Sequence, residues 1–167
     1  MRALLDVSVL LSLFDRGHIQ HQRATAWSAQ NALAGWASCP LTHNGFVRIV
    51  SQPGYPRPAR IIDALTVLRR QMEGLDYVFW PHDISIADET IFDRGYILGP
   101  NQIADVYLLA LAVRNGGRLV TFDRGLPLRA VRGAEPRHLV VLRPRRHDGR
   151  DNGRMQQWRW TNGAAPP

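Results

Sequence analysis

The chain has 167 residues, 45% of them hydrophobic, enough for one domain with a real core. No apolar run reaches the roughly 18 residues of a transmembrane helix, and the single cysteine, Cys39, excludes a disulfide framework and disfavours a Cys-based zinc site. The formal charge is +7 and every one of the 21 basic residues is Arg, which either favours bidentate phosphate contacts or reflects a biased genome.

The N-terminal apolar run is interrupted by Asp6 and is followed by no small-x-small site. It reads as the first strand and helix of a domain, not as a leader. The lone-cysteine usage fits a reducing cytoplasm, with Cys39 as an inert buried thiol.

In chain order, residues 3–5 read as a buried strand ending at Asp6, and 7–14 as a helical turn or two. Residues 18–33 have helical spacing, and Gly35 stops that helix at C′. A second strand over 36–39 is closed by Pro40, and Thr42 is expected to cap a helix running to about Val50. The turn-rich SQPGYPRP leads to a helix over 59–72, with Ile62, Leu65, Leu68 and Met72 on its apolar side. A third strand over 77–80 is expected toward the sheet edge, followed by a short helix over 85–92 and a loop over 95–100. Residues 102–113 form the next helix, with Ile103, Tyr107, Leu108 and Leu111 apolar, stopped by Asn115-Gly116-Gly117. A fourth strand over 118–122, a helical turn around 126–131 and a fifth strand over 138–142 complete the pattern.

Strands alternating with helices imply an α/β fold: a three-layer α/β/α sandwich around a parallel sheet of about five strands. Residues 1–142 form that domain. Residues 143–167, with six Arg against two Asp, read as a basic, mobile tail.

In an open parallel sheet, ligands bind outside the carboxyl ends of the strands. Asp6 follows the first strand, Thr42, His43 and Asn44 follow the second, and Asp123 follows the fourth. Asp105 opens the helix before strand four. A helix leading into a strand is expected to start at the far edge, so Asp105 reaches the same place only if the loop over 93–100 crosses over. Each acid alone also reads as a local device: Asp6 an N-cap, Asp105 a dipole acid, Asp123 a turn residue. As a set, three ionised carboxylates repel by about 4 kcal/mol per pair at an effective dielectric near 20. A hard divalent cation, Mg²⁺ or Mn²⁺, relieves that repulsion and can activate water against a phosphodiester.

The segments LLDVSVLL, PLTHNGFVRIVSQP, QIADVYLLALAVRNGG and RLVTFDRGL together resemble a PIN domain, and more closely the VapC toxins of bacterial toxin–antitoxin pairs. The resemblance covers roughly residues 1–142. It implies a Mg²⁺-dependent endoribonuclease that cuts structured RNA such as tRNA or rRNA, a cognate VapB-like antitoxin and a homodimer, with no membrane association. Carried over position by position, Asp6, Asp105 and Asp123 match the metal-holding acids. Ser8 and Thr121 match supporting hydroxyls at the site.

The family usually has a Glu at the start of the helix after strand two. His43 stands there, with Asn44 as the other candidate. A neutral His could ligate metal, act as a base or donate to phosphate. Its alternative is a surface helix-start residue, and the corresponding alternative for the protein is a degenerate PIN domain that binds RNA or antitoxin with little cleavage. Arg48 is a candidate phosphate contact or a surface ion pair. Trp158 and Trp160 around Arg159 could stack on bases, or belong to a disordered tail with no role. His18 with His21, and His82 with Asp83, read as packing or surface residues. A phosphatase-like domain lacks its Gly-rich phosphate loop here, and a DNase lacks accessory helices.

Overall fold

The computed structural model describes residues 1–143. The expected tail, including Trp158, Arg159 and Trp160, lies outside the described residues. Five strands, β1 (Ala3–Leu5), β2 (Trp36–Ser38), β3 (Tyr77–Phe79), β4 (Arg118–Thr121) and β5 (Leu139–Val141), form one sheet in the order β3-β2-β1-β4-β5. Every pairing is parallel, with Leu4 opposite Ala37 on one side and Leu119 on the other. The helices are α1 (Val7–Phe14), α2 (His21–Asn31), α3 (Pro40–Val50), α4 (Ile61–Gln71) and α5 (Ile103–Arg114).

Side chains alternate across each strand, and this divides the core in two. Leu4, Ala37 and Leu119 point toward α5, where Val106, Leu108, Leu109 and Leu111 are buried. Ala3, Leu5 and Val120 point the other way, toward Val9 and Leu10 of α1, Phe46 of α3 and Leu68 of α4. At about 1.5–3 kcal/mol for each large apolar side chain fully removed from water, these two layers are the main source of stability.

Two helix ends show how sequence sets geometry. α5 stops in a Schellman arrangement: Gly116 N–H donates to Val113 O (3.0 Å) and Gly117 N–H to Ala112 O (2.8 Å), with Gly116 at φ 61°. A Cβ on Gly117 would lie 2.4 Å from the Trp80 ring and 2.8 Å from Arg2 O, so only glycine lets the chain turn directly into β4. At the start of α3, Pro40 occupies the first helical position, where its missing N–H costs nothing.

Several expected elements differ. Thr42 is not the cap of α3: Cys39 is the N-cap, and the Thr42 hydroxyl reaches back to accept from Cys39 N–H at 3.0 Å. α2 starts at His21, because the His18 ring accepts the Gln20 N–H (3.1 Å) and holds the preceding turn out of the helix. Residues 85–92 are turns. Asp88 draws the Thr90 N–H and hydroxyl to its own carboxylate (2.8 and 2.6 Å), a local bond that competes with helix. On α4 the buried residues are Ala64 and Leu68, while Ile62 and Leu65, expected on the core side, are 62% and 46% exposed. The buried face of α4 runs through Ala64 and Leu68, four residues apart, and joins the cluster that includes Phe46 and Val50 of α3.

Candidate active site

Asp6 ends β1 and caps α1. Its backbone N–H donates to Val120 O at 3.0 Å, tying the cap to β4. Its carboxylate accepts from Val7 N–H and the Ser8 hydroxyl, both at 2.6 Å, and from the Thr121 hydroxyl at 2.9 Å. Burial pushes the Asp6 carboxyl up, while the bonds from Ser8, Thr121 and Val7 pull it down. The residue as a whole is half-buried.

Thr121 is the last residue of β4 and fully buried. The same hydroxyl that donates to Asp6 accepts the Asp123 N–H at 3.0 Å. Asp123 is exposed in the turn after β4, where its carboxylate accepts Gly125 N–H at 2.8 Å.

Asp105 lies in the first turn of α5. Its carboxyl is pushed up to about 8, first by burial, then by the charges of Asp6 and Asp123 and by a hydrogen bond with the Asp123 side chain. The shift prevails over the helix N-terminus, which by itself favours a carboxylate. The acids therefore feel one another, although they come from the two ends of the chain. The crossing loop expected to bring Asp105 there is unnecessary. α5 joins β4 through the tight Gly116-Gly117 turn, so it runs antiparallel to the strand and its N-terminus stands at the strands' carboxyl edge.

The donor chemistry, carboxylate oxygens and hydroxyls, suits a hard divalent cation. In the present arrangement no group of three or more His, Cys, Asp or Glu among the described residues is disposed to hold a metal ion.

His43 is placed differently from the acids. Its Nε2 is 2.5 Å from the Ser38 hydroxyl, which is 3.0 Å from the Tyr77 hydroxyl, and its ring lies 5.3 Å from that of Phe79. Burial lowers its pKa. The ring is thus turned toward β2 and β3, with no carboxylate among these partners. Asn44 is exposed on the same first turns of α3, and Arg48 is exposed in the last turn of that helix. Ser8 and Thr121 both address Asp6.

Sequence reasoning missed Gln102. Its Oε1 accepts Leu98 N–H (2.9 Å) and its Nε2 donates to Gly125 O (3.1 Å), joining the loop before α5 to the turn that carries Asp123. Nothing in a single glutamine ahead of a helix signals that role. His82 and Tyr107 also pack together near the start of α5, with ring centroids 4.9 Å apart.

The five-stranded parallel sheet with acids at its carboxyl edge has a counterpart among known proteins: a family model for the PIN domain matches residues 3–132. Ribonuclease VapC44 of Mycobacterium tuberculosis is 49% identical over 142 residues, which span 85% of this chain and 100% of that protein. Ribonuclease VapC38 of the same organism is 43% identical over 125 residues (74% and 86%), and Ribonuclease VapC39 is 38% identical over 130 residues (75% and 91%). The chain belongs to the PIN-domain family and, within it, to the VapC ribonucleases.

Proposed function

We propose that this protein is the toxin of a toxin–antitoxin pair, an endoribonuclease that hydrolyses RNA phosphodiester bonds with a divalent cation, Mg²⁺ or Mn²⁺, held by Asp6, Asp105 and Asp123. The observation that carries this reading is the Thr121 hydroxyl shared at the carboxyl edge of the sheet, donating to the Asp6 carboxylate and accepting Asp123 N–H, while Asp105 at the same edge is pushed up by burial and by both acids. Such a shift marks carboxylates crowded together in a cleft, a common signature of chemistry. Bound there, the cation supplies charge neutralisation at the phosphate and a more acidic water.

The chain's own residues do the rest. Ser8 and Thr121 hold the Asp6 carboxylate in one orientation. Thr121 also fixes the backbone of Asp123. Asp105 must release the proton it holds near neutrality before all three acids can act together. Arginines position the RNA backbone, so binding weakens with salt. We further infer a cytoplasmic protein, a structured RNA target of the tRNA or rRNA class, a VapB-like antitoxin that blocks the site, and a homodimer.

The test is growth after induction of the wild-type chain beside Asp105→Asn at matched expression, with new RNA 5′ ends sequenced. Arrest and new ends with wild type alone support the proposal; arrest by both variants removes it. A second reading, a binding domain with little cleavage, is favoured by the engagement of His43 with Ser38 in place of an acid. A large gain of cleavage in His43→Glu would support that reading.

A further inference from the structure

Beside Asp105, on the β2 side of the carboxyl edge, the start of α3, residues 82–86 and residues 100–107 line an open pocket of about 540 Å³. Leu41, Ile84, Ile103 and Tyr107 supply apolar walls, and His82 and Asn101 supply polar groups. The lining includes Ala104, the residue immediately before Asp105. Ile86 and Ile103 are 38% and 42% exposed, so the cavity opens to solvent.

Three features define the occupant. The lining holds no Arg, Asp or Glu, so no formally charged side chain there selects for or against an anion. Two rings, His82 and Tyr107, meet edge to face at 65° and present aromatic surface to a flat ligand. The exposed His82 ring accepts Leu41 N–H at Nε2 (3.4 Å), and its Nδ1 and the exposed Asn101 amide can both exchange hydrogen bonds with a heterocycle's edge. A flat, neutral heterocycle one sugar away from a phosphate is a nucleobase.

We propose that this cavity receives an unstacked base of the RNA, on a nucleotide adjoining the phosphate that reaches Asp105. The inference rests on the proposed ribonuclease activity and adds to it a source of sequence choice. Single-stranded bases splayed onto aromatic side chains are the usual means of reading RNA.

The test uses an RNA oligonucleotide spanning the mapped cleavage site, with each flanking nucleotide replaced in turn by an abasic one. One abasic position should lower kcat/KM of the wild type roughly ten- to a hundredfold, the scale of one stacked base. In His82→Ala, and in Ala104→Leu, which fills the cavity, the same penalty should shrink below about threefold while thermal melting confirms the fold. Equal penalties in wild type and both variants overturn the inference. A loss of dimer by light scattering in His82→Ala, with the penalty intact, overturns it in favour of a protein-docking face. If wild type cuts no RNA, the proposed activity fails. The cavity is then judged by 2-aminopurine fluorescence in bound single-stranded RNA: quenching by wild type that is lost in both variants sustains it, and equal quenching overturns it.

Discussion

The two halves of the carboxyl edge are built differently. On the β1–β4 side, Asp6 accepts three hydrogen bonds and shares Thr121 with Asp123, so charge is concentrated and oriented. On the β2–β3 side, His43, Ser38 and Tyr77 form a neutral chain of hydrogen bonds next to Phe79. The first half pays electrostatically for being together, as the shifted Asp105 shows. The second half satisfies its polar groups locally and carries no charge. Paired acids under mutual strain suit a cation and a reaction, whereas a satisfied neutral network suits packing or contact with a neutral ligand.

Substitutions on the two sides should therefore separate widely. The largest effect is expected for Asp105→Asn or Asp6→Asn, with purified RNA cleavage falling more than about a hundredfold, beyond the 10–100-fold typical of a supporting partner. Thr121→Val should fall within that 10–100-fold range, because it removes both the donor to Asp6 and the acceptor for Asp123 N–H, and Thr121→Ser should recover most of the loss. The same valine should cost about 1–3 kcal/mol in urea unfolding, since it leaves buried polar atoms unpaired. His43→Ala should change kcat/KM by less than about tenfold; a loss as large as that of Asp105→Asn would erase the contrast between the halves.

A pH measurement sharpens the same contrast. Asp105 goes from its ordinary 3.8 to about 8 on folding, so the folded protein binds more protons than the unfolded chain between those values. Its contribution to stability is then fully present below about pH 4 and is lost as the pH rises toward 8. Without divalent ions, the melting temperature should decline over that interval, and Asp105→Asn should flatten the decline. Added Mg²⁺ should raise the melting temperature more at pH 8 than at pH 5.5. The smallest effect is expected for Gln102→Glu, which keeps the acceptor for Leu98 N–H and loses the donor to Gly125 O. A fewfold loss of activity, with melting nearly unchanged, would mark it as a positioning residue.

Much of the fold was legible because its signals are strong. The apolar strands around Leu4 and Leu119, the largely apolar helix 103–114 and the double glycine behind it leave few alternatives. The boundaries were weaker where side chains compete with backbone, as at Asp88 and His18, and the buried face of α4 runs through Ala64 and Leu68 instead of the larger Ile62 and Leu65. Asp6 and Asp123 could be placed from strand ends alone. Asp105 was placed with the wrong geometric reason: a helix that leads into a strand through a tight turn begins at the strand's carboxyl edge. The orientation of His43 was invisible, because it depends on Ser38 and Tyr77 from two neighbouring strands. Gln102 was invisible because both its partners are backbone atoms.

The double duty of the Thr121 hydroxyl has a consequence for inheritance. Positions 6 and 123 stand 117 residues apart in sequence, yet one oxygen atom joins the carboxylate of the first to the backbone of the second. Changes at 6, 8, 121 and 123 therefore share partners, and their effects should depart from simple addition. A lineage that altered one of them would find the remaining three under different selection, so these positions are bound to vary together or hardly at all.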